Sequence, residues 1–139
     1  MKVLCSLFLA AAALVQVQAA DSTTAPAKTD VVRPAAKNID VQEFEKLRRD
    51  TNNVVLDVRT PREYAAGHVP GAVNLDVNSP DFEKRISALD TNKTYLVHCA
   101  AGVRSTKACA RLDKVNFKHL YNFNGGYNAW QKAGNKPQQ

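Results

Sequence analysis

Long hydrophobic runs are nearly missing from this chain of 139 residues; only a segment at the N-terminus stays apolar for more than a few positions. Basic runs are missing too. Lys and Arg number 19 against 13 Asp and Glu, a net charge of +6, yet no basic run exceeds a pair such as Arg48-Arg49 and no aromatic residues interleave with one. That excludes the charged stripe of a nucleic-acid binder and leaves a solvated surface that mildly favours small anions. Cysteine is scarce, with three residues, and no Cys, His and carboxylate cluster has metal-ligand spacing. The pattern therefore offers no metal site. No internal repeat is visible, and the length suits one domain with a core large enough to need no disulfide staples.

The apolar segment is MKVLCSLFLAAAALVQVQAA: Lys2, an apolar run from Val3 to Val15 broken only by Cys5 and Ser6, then Val17-Gln18-Ala19. It reads as a secretory signal covering residues 1–19, cut after Ala19 or Ala20, and shorter than the ~20 residues of a membrane span. Cleavage leaves no stable membrane association and, for a bacterial source, a periplasmic protein. Residues 20–37 are small, polar and proline-rich, and read as a flexible leader before a domain at 38–135 and a short tail at 136–139. The mature chain keeps Cys99 and Cys109. Ten helical residues span ~15 Å, beyond disulfide reach, so Cys109 reads as a small apolar helix residue.

From Asn38 onward, strands and helices alternate. Asp40 is an N-cap for a helix carrying Val41, Phe44 and Leu47, and Val54–Asp57 is a short buried strand. Thr60, Pro61 and Glu63 begin a second helix that Gly67 ends. GAVNL is a further buried strand, and Asp81 opens a helix with Phe82, Ile86 and Leu89 on one face. KTYLVHC is a strand, Ser105 to Leu112 a helix, HLYNF a strand, and Gly125-Gly126 a turn into a helix over Tyr127 to Lys132. Continuous apolar strands between helices predict an α/β domain with a parallel sheet buried on both faces.

In open α/β sheets ligands bind beyond the carboxyl ends of the strands, and Cys99 stands at such an end. From Cys99 to Arg104 the sequence is CAAGVR. A turn this tight points several backbone N–H groups inward, and the following helix adds partial positive charge, which stabilises a thiolate. Gly102 supplies backbone freedom, Arg104 is placed to hold an anion, and Ser105 is both an N-cap candidate and a hydroxyl donor. Cysteine phosphatases use C-x5-R. Here four residues separate Cys99 from Arg104 and Ser105 stands where their arginine would be, so the cradle suits a sulfane sulfur better than a phosphate.

Three segments in order, LDVRTPREYAAGHVPGAVNL, HCAAGVRS and YNFNGGYNAW, resemble the signature, active loop and closing segment of rhodanese domains. The resemblance implies a rhodanese-like fold, a parallel five-stranded sheet flanked by helices on both faces, with the fifth strand near Lys37 to Ile39. It implies Cys99 as nucleophile and Ala100, Ala101, Gly102, Val103, Arg104 and Ser105 as the substrate cradle. A small anionic donor such as thiosulfate would load Cys99 as a persulfide, and cyanide, a thiol or a protein acceptor would take the sulfur. The loop interior lacks the extra basic residue many thiosulfate-using members carry, so Arg104 and backbone amides are expected to hold the donor's charge alone.

Other polar residues have structural readings. Asp57 orients loop groups or pairs with an arginine. Arg59 and Glu63 form an ion pair at a helix start. His68 and Trp130 are structural, and His98 points to the sheet face opposite Cys99. Two further functions stay open: a cysteine phosphatase or arsenate-reducing relative, and a binding or sulfur-relay module serving one protein partner.

Overall fold

The structure, a computed structural model, describes residues 35–139. The signal segment at 1–19 and the leader as far as residue 34 lie outside the described residues. In chain order the elements are β1 (Lys37–Ile39), α1 (Val41–Leu47), β2 (Val54–Asp57), α2 (Pro61–Ala66), β3 (Val73–Asn74), α3 (Phe82–Ile86), β4 (Thr94–His98), α4 (Val103–Lys114), β5 (His119–Phe123) and α5 (Gly126–Lys132). The five strands form one parallel sheet in the order β1-β5-β4-β2-β3. Parallel neighbours cannot be joined by a tight turn, so each passage between them crosses a face of the sheet.

Alternation along the strands fills both faces. Leu56, Tyr95, Val97 and Leu120 point into a cluster with Phe82 and Ile86 of α3 and Ala108, Cys109 and Leu112 of α4. Val55, Leu96 and Phe123 point the other way, onto Phe44 of α1 and Tyr127 and Trp130 of α5. Phe44 stacks on Phe123 at 4.4 Å between ring centroids. Trp130 is buried and its Nε1 donates to Glu45 Oε1 at 2.6 Å, which makes it a packing residue.

Several boundaries differ from the sequence reading. GAVNL contributes only Val73–Asn74, on the sheet edge, with Val73 half exposed. It is therefore not a buried strand. The helix after Cys99 begins at Val103 rather than Ser105, because Gly102 in a left-handed conformation (φ 96°) turns the chain in place of a side-chain cap. Asp81 precedes α3 but makes no side-chain cap bond to it. At the other end, Asp40 caps α1 by accepting from Glu43 N–H, and Thr60 and Glu63 form a reciprocal capping box at α2. The C-terminal tail is tied down: Gln138 exchanges two backbone hydrogen bonds with His68 at 2.9 Å.

Candidate active site

Strand β4 is central in the sheet, and Cys99 follows its last residue. The chain then turns through Ala100 and Ala101 to Gly102 and enters α4. This turn wraps around the sulfur: Gly102 N–H donates to Cys99 Sγ at 3.1 Å, and the thiol lies 3.7 Å from Ser105 Oγ. A Cβ on Gly102 would stand 2.3 Å from the carbonyl oxygen of Asn124, so sterics as well as φ demand glycine. The first turn of α5 clamps the other side. Tyr127 N–H donates to Cys99 O at 2.8 Å and Asn128 N–H to Ala100 O at 3.0 Å. A Cβ on Gly126 would come within 2.6 Å of both carbonyls.

Cys99 is only 2% exposed. Burial pushes its thiol up, but the backbone N–H of Ser105, the Ser105 hydroxyl and the N–H groups of Ala101 and Gly102 outweigh burial, and the thiol is held below its ordinary value. Cys109 shares the same apolar cluster without such donors; burial first, and then the charge of Cys99, push it up to about 12. Both cysteines are free.

The charged residues do not pair as the sequence suggested. Arg59 does not reach Glu63. It is buried against Asp57, with Nε 3.0 Å from both carboxylate oxygens and Nη2 2.7 Å from Oδ2, and it also donates to Gly67 O at 2.8 Å. Its guanidinium lies 4.0 Å from the Tyr127 ring centroid. Asp57 thus pairs with an arginine, as one reading of the sequence held. Glu63 instead takes Arg104 in a two-pronged bond, Nη1 to Oε2 and Nη2 to Oε1, each 2.7 Å. Arg104, expected to hold a donor's charge, is already matched. That bond is the leading cause holding the Glu63 carboxyl at about 2, against the opposing pull of burial, with Thr60 assisting.

Of Ala100 to Ser105, it is Ala101, Gly102 and Ser105 that aim groups at the sulfur, while the Arg104 side chain turns to Glu63 and Val103 is exposed. Ser105 lies inside α4 instead of capping it: its hydroxyl donates back to Gly102 O at 3.0 Å. His98 is fully buried on the far face, edge-on to Phe44, with Nδ1 3.2 Å from Cys99 O and Nε2 3.9 Å from Asp57 Oδ2. It cannot reach the sulfur as a base, and burial lowers its pKa. His68 stacks on Tyr64 with ring centroids 3.8 Å apart. A groove of about 330 Å³ runs beside the loop between Arg59, Glu63, Ala100 and Tyr127. Among the described residues, no group of three or more His, Cys, Asp or Glu is placed to hold a metal.

Cys99 thus stands in a six-residue loop that leads from the carboxyl end of the central strand into α4. The model of the Rhodanese-like domain matches residues 40–133. The chain belongs to the rhodanese-like family. A thiosulfate sulfurtransferase of Pseudomonas putida is 36% identical over 96 residues, covering 68% of this chain and 84% of that protein. A tRNA uridine(34) hydroxylase of Pelagibacter ubique is 38% identical over 90 residues, 64% of this chain, but this chain spans only 30% of its length. A crystal structure of a rhodanese-like domain protein from Staphylococcus aureus superimposes with a TM-score of 0.60 at 30% identity, over 68% of this chain and 90% of that one. The rhodanese-like domain here therefore has relatives of unlike size, among them sulfurtransferases. Sequence reading missed the Glu63–Arg104 bond and the α5 clamp; only the double glycine at 125–126 hinted at the second.

Proposed function

We propose that this protein is a sulfurtransferase that takes a sulfane sulfur from thiosulfate or a related donor, holds it as a persulfide on Cys99 and passes it to cyanide or a thiol. The observation that carries the reading is the Cys99 sulfur itself, lowered in pKa by N–H groups that converge on it from the loop and the start of α4. A thiolate attacks the outer sulfur of the donor; the donor's S–S bond breaks and its electron pair leaves with sulfite. The same N–H groups then face the terminal sulfur of the persulfide, and an acceptor thiolate or cyanide removes it. No general base is needed once the thiol is ionised, which agrees with the burial of His98 against Phe44 on the other sheet face.

A relay role for one protein partner is the second reading, favoured by the exposed apolar rim of the loop at Ala101 and Val103, the latter 78% exposed. Phosphatase or arsenate-reductase chemistry is disfavoured, because the loop arginine is bound to Glu63 and the loop is one residue short of C-x5-R. Export to a periplasm is proposed from the sequence of residues 1–19 alone.

The test is intact-protein mass spectrometry of the reduced chain before and after thiosulfate, with Cys99→Ser alongside. One added sulfur, removed by cyanide and absent in the variant, is the expected result. An unmodified chain after exposure to thiosulfate and to an organic persulfide would defeat the proposal.

A further inference from the structure

The charge count around the loop bears on the donor, taking sulfur transfer at Cys99 as the reaction. Two arginines approach the loop, and each is matched by one carboxylate: Arg59 by Asp57, Arg104 by Glu63. Asp76 adds further negative charge within reach of Arg104. Loading from thiosulfate brings a dianion onto a thiolate. Here that encounter would be met by backbone N–H groups and a helix N-terminus, but by no unmatched side-chain cation from these two arginines. The rim from Ala100 to Val103 is alkyl, and Val103 is 78% exposed.

We propose that Glu63 sets donor choice: by neutralising Arg104 it selects donors of lower charge that carry an alkyl group, organic thiosulfonates and persulfides, over thiosulfate. With a thiosulfonate RSO2S⁻, the Cys99 thiolate forms a new S–S bond to the outer sulfur and the old S–S bond breaks. Its electron pair leaves on the sulfinate RSO2⁻, and Cys99 is left as a persulfide anion, so that charge is conserved. The organic group lies on the alkyl rim, and one negative charge fewer enters the loop than with thiosulfate. Glu63 acts through Arg104 and touches no reacting atom, so it is a positioning residue.

The experiment compares kcat/KM for methanethiosulfonate, a monoanion, with that for thiosulfate in wild type, Glu63→Gln and Arg104→Gln. Glutamine retains the capping-box role at α2. Glu63→Gln frees one positive charge on Arg104, which already feels the charge of Cys99, and should lower the methanethiosulfonate-to-thiosulfate ratio about tenfold. Thiosulfate turnover in that variant should also become more sensitive to salt. Arg104→Gln leaves Glu63 unmatched and should move the ratio the opposite way. A merely structural effect would reduce both donors alike in both variants, and an unchanged ratio overturns the proposal. If wild type gains no persulfide from either donor, the sulfurtransferase reading itself fails; loading by both donors without a ratio change removes only the role of Glu63.

Discussion

Cys99 and Cys109 lie in one apolar cluster, each 2% exposed, and their thiols move in opposite directions. Burial acts on both and raises both. What separates them is the number of N–H and O–H groups aimed at the sulfur. Cys99 has the loop and the start of α4 around it, while Cys109 is in the middle of that helix, where backbone N–H groups are already spent on the preceding turn. The lowered pKa of Cys99 is therefore a property of the turn more than of the residue or of its exposure.

The largest effect should come from exchanging the sulfurs one at a time. Cys99→Ser should reduce sulfur transfer more than about a thousandfold, because a serine hydroxyl is not ionised at neutral pH. Cys109→Ala should keep transfer within about twofold and cost on the order of 1 kcal/mol of stability. Steady-state assays and urea unfolding of both variants read these out. Comparable loss in both would erase the contrast.

The turn itself comes next. Gly102→Ala must place a Cβ at a positive φ and against the Asn124 carbonyl. It should cost about 1–3 kcal/mol and slow alkylation of Cys99 at neutral pH while Cys109 stays protected. Peptide-resolved alkylation with iodoacetamide separates the two thiols.

A smaller change sharpens the comparison. The Cys99 alkylation profile in the native protein should have its midpoint below the free-thiol value of about 8.5, and Ser105→Ala should move it upward, since the Ser105 hydroxyl is one of the groups that lower it. An unmoved midpoint would assign the effect to backbone groups alone.

The smallest signal is the dependence of stability on pH, where the two cysteines oppose each other. The Cys109 thiol stays neutral up to about 12 when folded but ionises from about 9 when unfolded. Above pH 9 the unfolded chain sheds a proton that the native state keeps, so stability falls between 9 and 12, and Cys109→Ala should flatten that fall. Cys99 is lowered in the native state. Its contribution is complete above the unfolded value and is lost as pH drops through the folded one, so Cys99→Ala should flatten a rise that ends near pH 9. Chemical denaturation across pH 7 to 11 measures both.

Much of this was readable in the chain. Short, mainly apolar runs placed β2, β4 and β5 at their observed positions, because a strand buried on both faces exposes few side chains to water. The edge strands were harder. β3 keeps only two residues in register, and β1 was placed at Lys37–Ile39 by resemblance alone. Cys99 and its loop were placed by the strand end that precedes them, and the opposite-facing His98 by strand alternation. The ion pairs did not. Arg59 and Glu63 are four positions apart and invited a local pairing, whereas the bond that forms joins Glu63 to Arg104 over 41 positions. Such a contact is set by how α2 and α4 meet at one end of the sheet, and nothing local encodes it.

The clamp by α5 has a consequence for biosynthesis. The carbonyls of Cys99 and Ala100 are held by amides of Tyr127 and Asn128, among the last residues of the fold to leave the ribosome. Those carbonyls belong to the loop whose N–H groups lower the thiol, so the loop is tied on both sides only once α5 is in place. A nascent chain that stops before α5 therefore lacks this tie, and its Cys99 should alkylate with a higher midpoint than in the finished domain.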